Sequence, residues 1–364
     1  MRVADLDTPA LLVDLDIMER NLRRAAEYAA RHGLRLRPHT KTHKIPALGR
    51  RQLELGAAGL TVAKVGEAEV MLCAGGKDLL LAYPVVGARK LERLIKVARR
   101  TRLTVALDSL AVARPLSAAA RAAGVEIGVL AEMDVGLGRV GVSPGQELAG
   151  LARELQRLPG LVFEGIAFYP GHIKRLDEDG RQALRRVAVA AKVRGVALRR
   201  VGIEPRCVWG GSTPTLFESH TVPGVNEIRP GTYIFNDRNT VLSGACAWED
   251  CAVTILTTVV STARSGQVII DGGSKTFSSD RLVHPEENGF GRVVDAPEAV
   301  FWNMNEEHGF VRVDRCRKTF RVGDRIRIIP NHVCVAVNLH ERIYGIRGDF
   351  VEEVWTVDGR GKLQ

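Results

Sequence analysis

Three short clusters in the sequence bring together residue types that do chemistry, at spacings that make the chemistry possible. The first, RPHTKTHK at residues 37–44, gathers His39, Lys41, His43 and Lys44. A lysine amine crowded by other cations and partly withdrawn from water gives up its proton more easily, and the free amine can condense with a carbonyl compound. A basic surface loop would read the same way. The second, PNHVC at 330–334, sets His332 and Cys334 two residues apart, so an extended backbone turns both side chains to one face. An imidazole and a thiolate on one face can grip a single ion, suit zinc, and leave positions free for water or substrate. The bland reading is a pair of ordinary β-strand residues. The third, GGSTPT at 210–215, has residues small enough for backbone N–H groups and hydroxyls to approach an anion, although such clusters are also plain turns. Two more groups stand nearby in type: Arg139 in DVGLGRVG, which can hold an anion or pair with Asp134 or Glu132, and Tyr169 and His172 in FYPGH.

The elements that position these groups follow from the hydrophobic pattern. Short apolar runs at 11–15, 34–37, 60–63, 79–83, 103–107, 125–131 and 161–168 are predicted strands, and the stretches between them, such as 88–100 and 110–123, have helical character. Asp16 with Glu19 offers a capping box for a helix that Gly33 can close. Apolar strands buried on both faces and spaced by helices imply a parallel sheet, either open or closed. Six to eight such units before about residue 240 favour a closed, TIM-like (β/α)8 barrel. The strand ends in such a barrel face the active site at their C-terminal side, and the clusters at 37–44, 134–141, 168–172 and 210–215 each follow a predicted strand. After residue 242 the sequence turns to short Val-, Ile- and Thr-rich runs without long helical spacers. The expected division is therefore an N-terminal segment, 1–16, that can pack on the β domain, a barrel over 17–242, and a mostly-β domain over 243–364 carrying His332 and Cys334.

Composition narrows the class. The 364 residues, 45% hydrophobic and 26% charged, describe a globular protein large enough to bury a sizeable core. The net charge of +10 is spread over Arg pairs such as Arg99-Arg100 and Arg199-Arg200, and with aromatics at 5% there is no basic stripe interleaved with stacking residues, so no nucleic-acid partner is expected. Six dispersed cysteines without CxxC spacing point to reduced thiols. No run approaches the ~20 apolar residues of a membrane helix, and the acidic N-terminus lacks the form of a signal peptide. The expectation is a cytoplasmic protein with no membrane partner.

Taken with TPALLVDLD before it and GAAGLTVAKVGEAEV after it, the string RPHTKTHK resembles the D-threonine aldolase and D-serine dehydratase family of fold-type III pyridoxal-phosphate enzymes. DVGLGRVGV, FYPGH, GGSTPT, EIRPGTYIFND, NEEHG and PNHVC continue the resemblance in order along nearly the whole chain. The resemblance implies that Lys41 carries pyridoxal 5'-phosphate and that Lys44 is its neighbour. It implies a phosphate site from Gly211, Ser212 and Thr213, completed by Gly231 and Thr232 as in the related alanine racemases. Arg139 and Tyr169 would contact the cofactor, Arg229 would approach the pyridine nitrogen, and His172 would be an active-site histidine. His332 and Cys334 would hold a divalent metal. The Cys form is associated with zinc and D-serine dehydratases, an Asp in its place with aldolases and harder ions such as manganese, and magnesium is a further option. The implied substrate is a β-hydroxy-D-amino acid and the implied assembly a homodimer. Two reactions are open, retro-aldol cleavage to glycine and an aldehyde or β-elimination to a 2-oxo acid and ammonia, and a non-catalytic carrier of the cofactor is a third reading.

Overall fold

The computed structural model describes residues 1–282 and 288–364. They form two compact units, one of Arg24–Gly231 with Gly361–Gln364 and one of Met1–Arg23 with Thr232–Arg360.

In the first unit eight parallel strands close on themselves: Arg35–Leu36, Leu60–Val62, Asp78–Leu81, Arg102–Leu107, Ile127–Met133, Leu161–Phe168, Cys207–Gly210 and Glu227–Ile228. The first strand pairs with the last through Arg35–Glu227 and Leu36–Ile228, and the ring shuts where His39 bridges Thr61. The alternation of side chains along each strand explains why both faces are buried. Leu80, Ala106, Leu130, Ala167, Cys207 and Trp209 pack together, while their neighbours Leu79, Leu81, Val105, Leu107, Val129 and Ile166 join a larger cluster with the helices. The helix Ala88–Ala98 shows the matching pattern, burying Leu91, Leu94 and Ile95 on one stripe.

The N-terminal end of the barrel is filled with charge. Arg37, only 1% exposed, gives Nη1 and Nη2 to the Asp78 carboxylate at 2.7 and 3.2 Å, its Nε to Glu227, and its plane to the Trp209 ring at 4.6 Å. Burial pushes the Glu227 carboxyl up, and Arg37 and Arg35 pull it back. A bulge in Leu161–Phe168 adds Glu164 to the same layer, because the register slips between Val129–Phe163 and Leu130–Gly165. Glu164 then meets Arg102 at 2.7 Å and Arg206 at 3.4 Å. Gly165 follows the bulge at φ 152°, where a β-carbon would stand 1.9 Å from the Cys207 carbonyl oxygen.

The second unit is antiparallel apart from one pair. The long strand Val253–Arg264 pairs with Arg325–Pro330 through its first half and with Gln267–Ile270 through its second, bending at two register shifts. Gly309–Arg312, Val300–Met304 and Gly291–Val293 complete a closed β barrel. Ala10–Asp14 extends the sheet, antiparallel to Val253–Arg264 and parallel to Arg342–Arg347, with Phe350–Thr356 at its outer edge. The helix after it, Leu15–Arg31, begins earlier than the expected Asp16 cap: Asp14 Oδ1 accepts from Ile17 N–H at 3.0 Å, and Glu19 binds Arg347 and Arg23 instead of closing a capping box. Among the described residues no helix is long and apolar enough to cross a membrane.

Removing Arg37 leaves the buried Glu227 with only the half-exposed Arg35, and the partly buried Asp78 with only Arg102 at 4.0 Å. Arg37→Ala is expected to cost about 3–5 kcal/mol, read as a lower urea midpoint. An unchanged midpoint would show that water reaches this layer and that it does not hold the barrel shut.

Candidate functional site

The C-terminal ends of the barrel strands carry the groups singled out in the sequence. After His39 a 3-10 turn, Thr40–Thr42, presents Lys41 to solvent, its backbone N–H donating to His39 Nδ1 at 3.3 Å. Lys41 makes no ion pair among the described residues. Lys44 differs: it sits at φ 56°, buried, with Nζ 3.3 Å from Glu67 Oε1, and the other Glu67 oxygen accepts from Ala63 N–H at 2.7 Å. Two lysines of similar sequence context are thus sorted by packing. The two histidines of this segment are neutral. Burial, followed by the charges of Lys41 and Arg229, holds His39 well below its ordinary value. Burial lowers His43 to about 4, and both of its nitrogens are engaged, Nδ1 accepting from Ile45 N–H at 3.0 Å and Nε2 facing Gln52 Oε1 at 3.3 Å.

Arg229 leaves the last strand into the interior. Its Nη2 donates to the Phe168 carbonyl at 2.8 Å, while its buried Nε has no acceptor among the described residues. An orphaned N–H on a buried guanidinium calls for an acceptor that the chain itself does not provide. Glu132 lies within electrostatic range of it, its carboxyl pushed up by burial against the pull of Arg229 and Arg139. In the 210–215 turn Ser212, Thr213 and Thr215 are buried, and Ser212 N–H donates to Thr215 Oγ1 at 3.2 Å. Gly231 lets two backbones meet, since a β-carbon there would be 2.9 Å from Thr42 Oγ1 and 3.1 Å from the His39 carbonyl. This narrow approach, with the waiting Arg229 N–H, fits an anionic, nitrogen-bearing ring compound such as pyridoxal phosphate.

The loop after Ile127–Met133 is built around Asp134, whose Oδ1 accepts from the N–H groups of Gly136, Leu137 and Gly138 at 3.0, 3.0 and 3.2 Å. With Asp134 occupied in this way, Arg139 forms no ion pair with it or with Glu132, and lies over the Tyr169 ring at 5.0 Å. His172 packs beside Gly136 with Nδ1 enclosed and unpartnered. Burial holds its imidazole below the ordinary value, although Asp134 pulls the other way, so it is a neutral base near pH 7.

In the second unit the geometry of His332 and Cys334 corrects an expectation. The backbone is not extended across them: His332 caps the helix Val333–Leu339 and Cys334 lies in its first turn. They meet all the same, imidazole hydrogen-bonded to thiol, because the first helical turn folds the chain back. The sequence reading missed Asp237, which is fully buried and bonds His332 Nδ1 at 3.0 Å. In the sequence it closes the motif EIRPGTYIFND and has the form of a helix cap before Arg238–Leu242, and neither feature assigns it His332 as a partner. Thr232, expected at the phosphate, places its hydroxyl 3.7 Å from Cys334 Sγ. Among the described residues no three His, Cys, Asp or Glu side chains form a closed ligand set, so an ion here would have His332 and Cys334 and open positions. The NEEHG motif is the hairpin joining Val300–Met304 to Gly309–Arg312, where Glu306 and Glu307 pair with Lys275 at 2.9 and 2.8 Å.

The alanine racemase N-terminal domain family matches residues 13–239, and a serine dehydratase domain matches residues 252–346. D-threonine aldolase of Arthrobacter sp. is 35% identical, with 99% of this chain and 94% of that protein covered. The crystal structure of D-threonine aldolase from Filomicrobium marinum superposes with a TM-score of 0.91 at 34% identity, covering 99% of this chain and 98% of that one. D-threo-3-hydroxyaspartate dehydratase from Delftia sp. superposes with a TM-score of 0.89 at 32% identity and 98% coverage of each chain. A cysteine-to-alanine mutant of a D-threo-3-hydroxyaspartate dehydratase was solved in a metal-free form.

The contrast between the two lysines makes a direct test. Borohydride reduction of the protein incubated with pyridoxal phosphate is expected to label Lys41, and Lys41→Ala to abolish the visible absorption of the bound cofactor. Label on Lys44 with absorption intact in Lys41→Ala would reverse the assignment.

Proposed function

Since the chain belongs to the D-threonine aldolase and D-serine dehydratase family of pyridoxal-phosphate-dependent lyases, we propose that it cleaves β-hydroxy-D-amino acids between Cα and Cβ, giving glycine and an aldehyde. In this reading Lys41 anchors the cofactor, Arg229 faces its ring nitrogen, and Gly211, Ser212, Thr213, Gly231 and Thr232 hold its phosphate. Arg139, supported on Tyr169, faces the phenolic oxygen or the substrate carboxylate. When bound, the cofactor supplies a sink for negative charge developing at Cα. The observation that carries the aldolase reading is His172, a neutral imidazole at the barrel mouth. Its Nδ1 is enclosed, which leaves Nε2 to take the proton of the substrate β-hydroxyl. His332 and Cys334 would hold a divalent ion, zinc by the softness of the thiolate and manganese or magnesium less readily, and the ion would supply a Lewis acid for the β-oxygen.

One observation favours a second reading, β-elimination from D-serine to a 2-oxo acid and ammonia. Cys334 stands where the resemblance associates aldolases with Asp. In that reaction Lys41 would take the Cα proton, and His172 would have no β-hydroxyl proton to remove. The non-catalytic carrier is set aside, because the relatives matched along the whole chain are lyases.

Turnover of D-threonine and D-serine measured side by side separates the two: glycine and acetaldehyde should form faster than pyruvate and ammonia, and the reverse order would establish the dehydratase. His172→Gln should lower aldolase kcat roughly 100- to 10,000-fold. Because the base must be neutral and burial lowers its pKa, the acid limb of kcat/KM should lie below the ordinary imidazole value of about 6.5, and a limb above that value would exclude His172 as the base.

Chelation should abolish turnover while cofactor absorption and the fold survive, as befits an open two-ligand site. Full activity of the stripped protein on both substrates would return His332 and Cys334 to ordinary structural residues.

A further inference from the structure

We propose that Asp237 is a positioning residue for the metal: it fixes the ring of His332 so that Nε2 is aimed at the ion, and it fixes the turn that brings Cys334 beside it. The inference rests on the reading of His332 and Cys334 as metal ligands. Asp237 is fully buried and each of its oxygens is committed. Oδ1 accepts from Thr240 N–H at 2.8 Å, which caps the helix Arg238–Leu242 and stops the carboxylate from rotating. Oδ2 accepts from Val333 N–H at 3.0 Å and lies 3.0 Å from His332 Nδ1. A carboxylate accepts, so the hydrogen between them sits on Nδ1, and Nε2 is the nitrogen left to face an ion. A metal-binding histidine needs this tautomer, and a carboxylate behind it also makes the ring a stronger donor.

The bond to Val333 adds a second constraint. Val333 is the residue between the two ligands, so the same oxygen that sets the ring also anchors the backbone that spaces His332 from Cys334. The segment leading to Asp237 serves the other ligand, with Thr232 Oγ1 3.7 Å from Cys334 Sγ and Thr232 O accepting from Asn236 N–H at 2.7 Å to close the turn. Residues 232–237 therefore provide one polar partner for each ligand. Plain structural capping would account for the Thr240 bond, but not for the bond to Nδ1.

The test is a titration of chelator-stripped protein with Co2+, read by the thiolate-to-cobalt absorption, and with Zn2+ in competition. Asp237→Asn keeps the shape and loses an acceptor. Asp237→Ser keeps a helix cap but is too short to reach His332, and it remains informative if the Asn variant does not fold. Both should bind the ion on the order of 10- to 100-fold more weakly than the parent. Thr240→Ala keeps its backbone N–H but removes the hydroxyl that completes the cap by accepting from Asp237 N–H at 2.6 Å; it does not touch His332 and should bind with parental affinity. Parental affinity in both Asp237 variants overturns the proposal, as does an equal loss in Thr240→Ala, which would make the effect one of folding. If the parent gives no thiolate-to-cobalt band, the metal reading itself has failed and the role of Asp237 falls with it.

Discussion

The barrel depends on one buried cation. Its first strand contributes only Arg35 and Leu36 to regular pairing, yet this strand must join the ring on both sides. Arg37, directly after it, binds Glu227 on the neighbouring strand to one side and Asp78 beyond the strand Leu60–Val62 on the other. Charges taken out of water must be matched by partners, and here every anion of the layer has an arginine: Glu227 has Arg35 and Arg37, Asp78 has Arg37, and Glu164 has Arg102 and Arg206. A seam with few backbone hydrogen bonds is thus held by side chains. The matched layer also occupies the N-terminal end of the barrel, opposite the end where Lys41, Arg139 and His172 lie.

At that other end the balance of charge is reversed. Lys41, Arg139 and Arg229 provide positive charge, Glu132 is a buried carboxyl pushed up, and His39, His43 and His172 are kept neutral by burial. Such a mouth attracts an anionic cofactor and an amino-acid carboxylate while retaining imidazoles that accept protons. The same three histidines fully exposed would titrate near neutrality and could not be relied on as bases.

The aldolase and dehydratase readings share these groups and differ in which atom gives up its proton. In the aldolase reading the proton removed is that of the β-hydroxyl and His172 would be the base; in the dehydratase reading it is the Cα proton and Lys41 would take it. An ion held by His332 and Cys334 would supply Lewis acidity in either reading.

The sequence by itself determined the alternation of strand and helix, the (β/α)8 barrel, the β-rich C-terminal part and the family, because burial on one or both faces imposes a period that is visible locally and because the active-site groups sit in short motifs at strand ends. The run Leu161–Phe168 and the helix Leu110–Ala123 were legible to the residue. Partners brought from far along the chain were not. Nothing local says that Lys44 is consumed by Glu67 while Lys41 is left open, that Glu164 is turned inward by a bulge, or that a carboxylate 95 positions away stands behind His332. Nor could spacing alone show that His332 and Cys334 meet across a helix start instead of along a strand, since two residues of separation suit both once a cap is present. Hydrophobic period is a property of a segment, whereas the state of a polar side chain depends on which other segments surround it, and only the packed tertiary structure decides that.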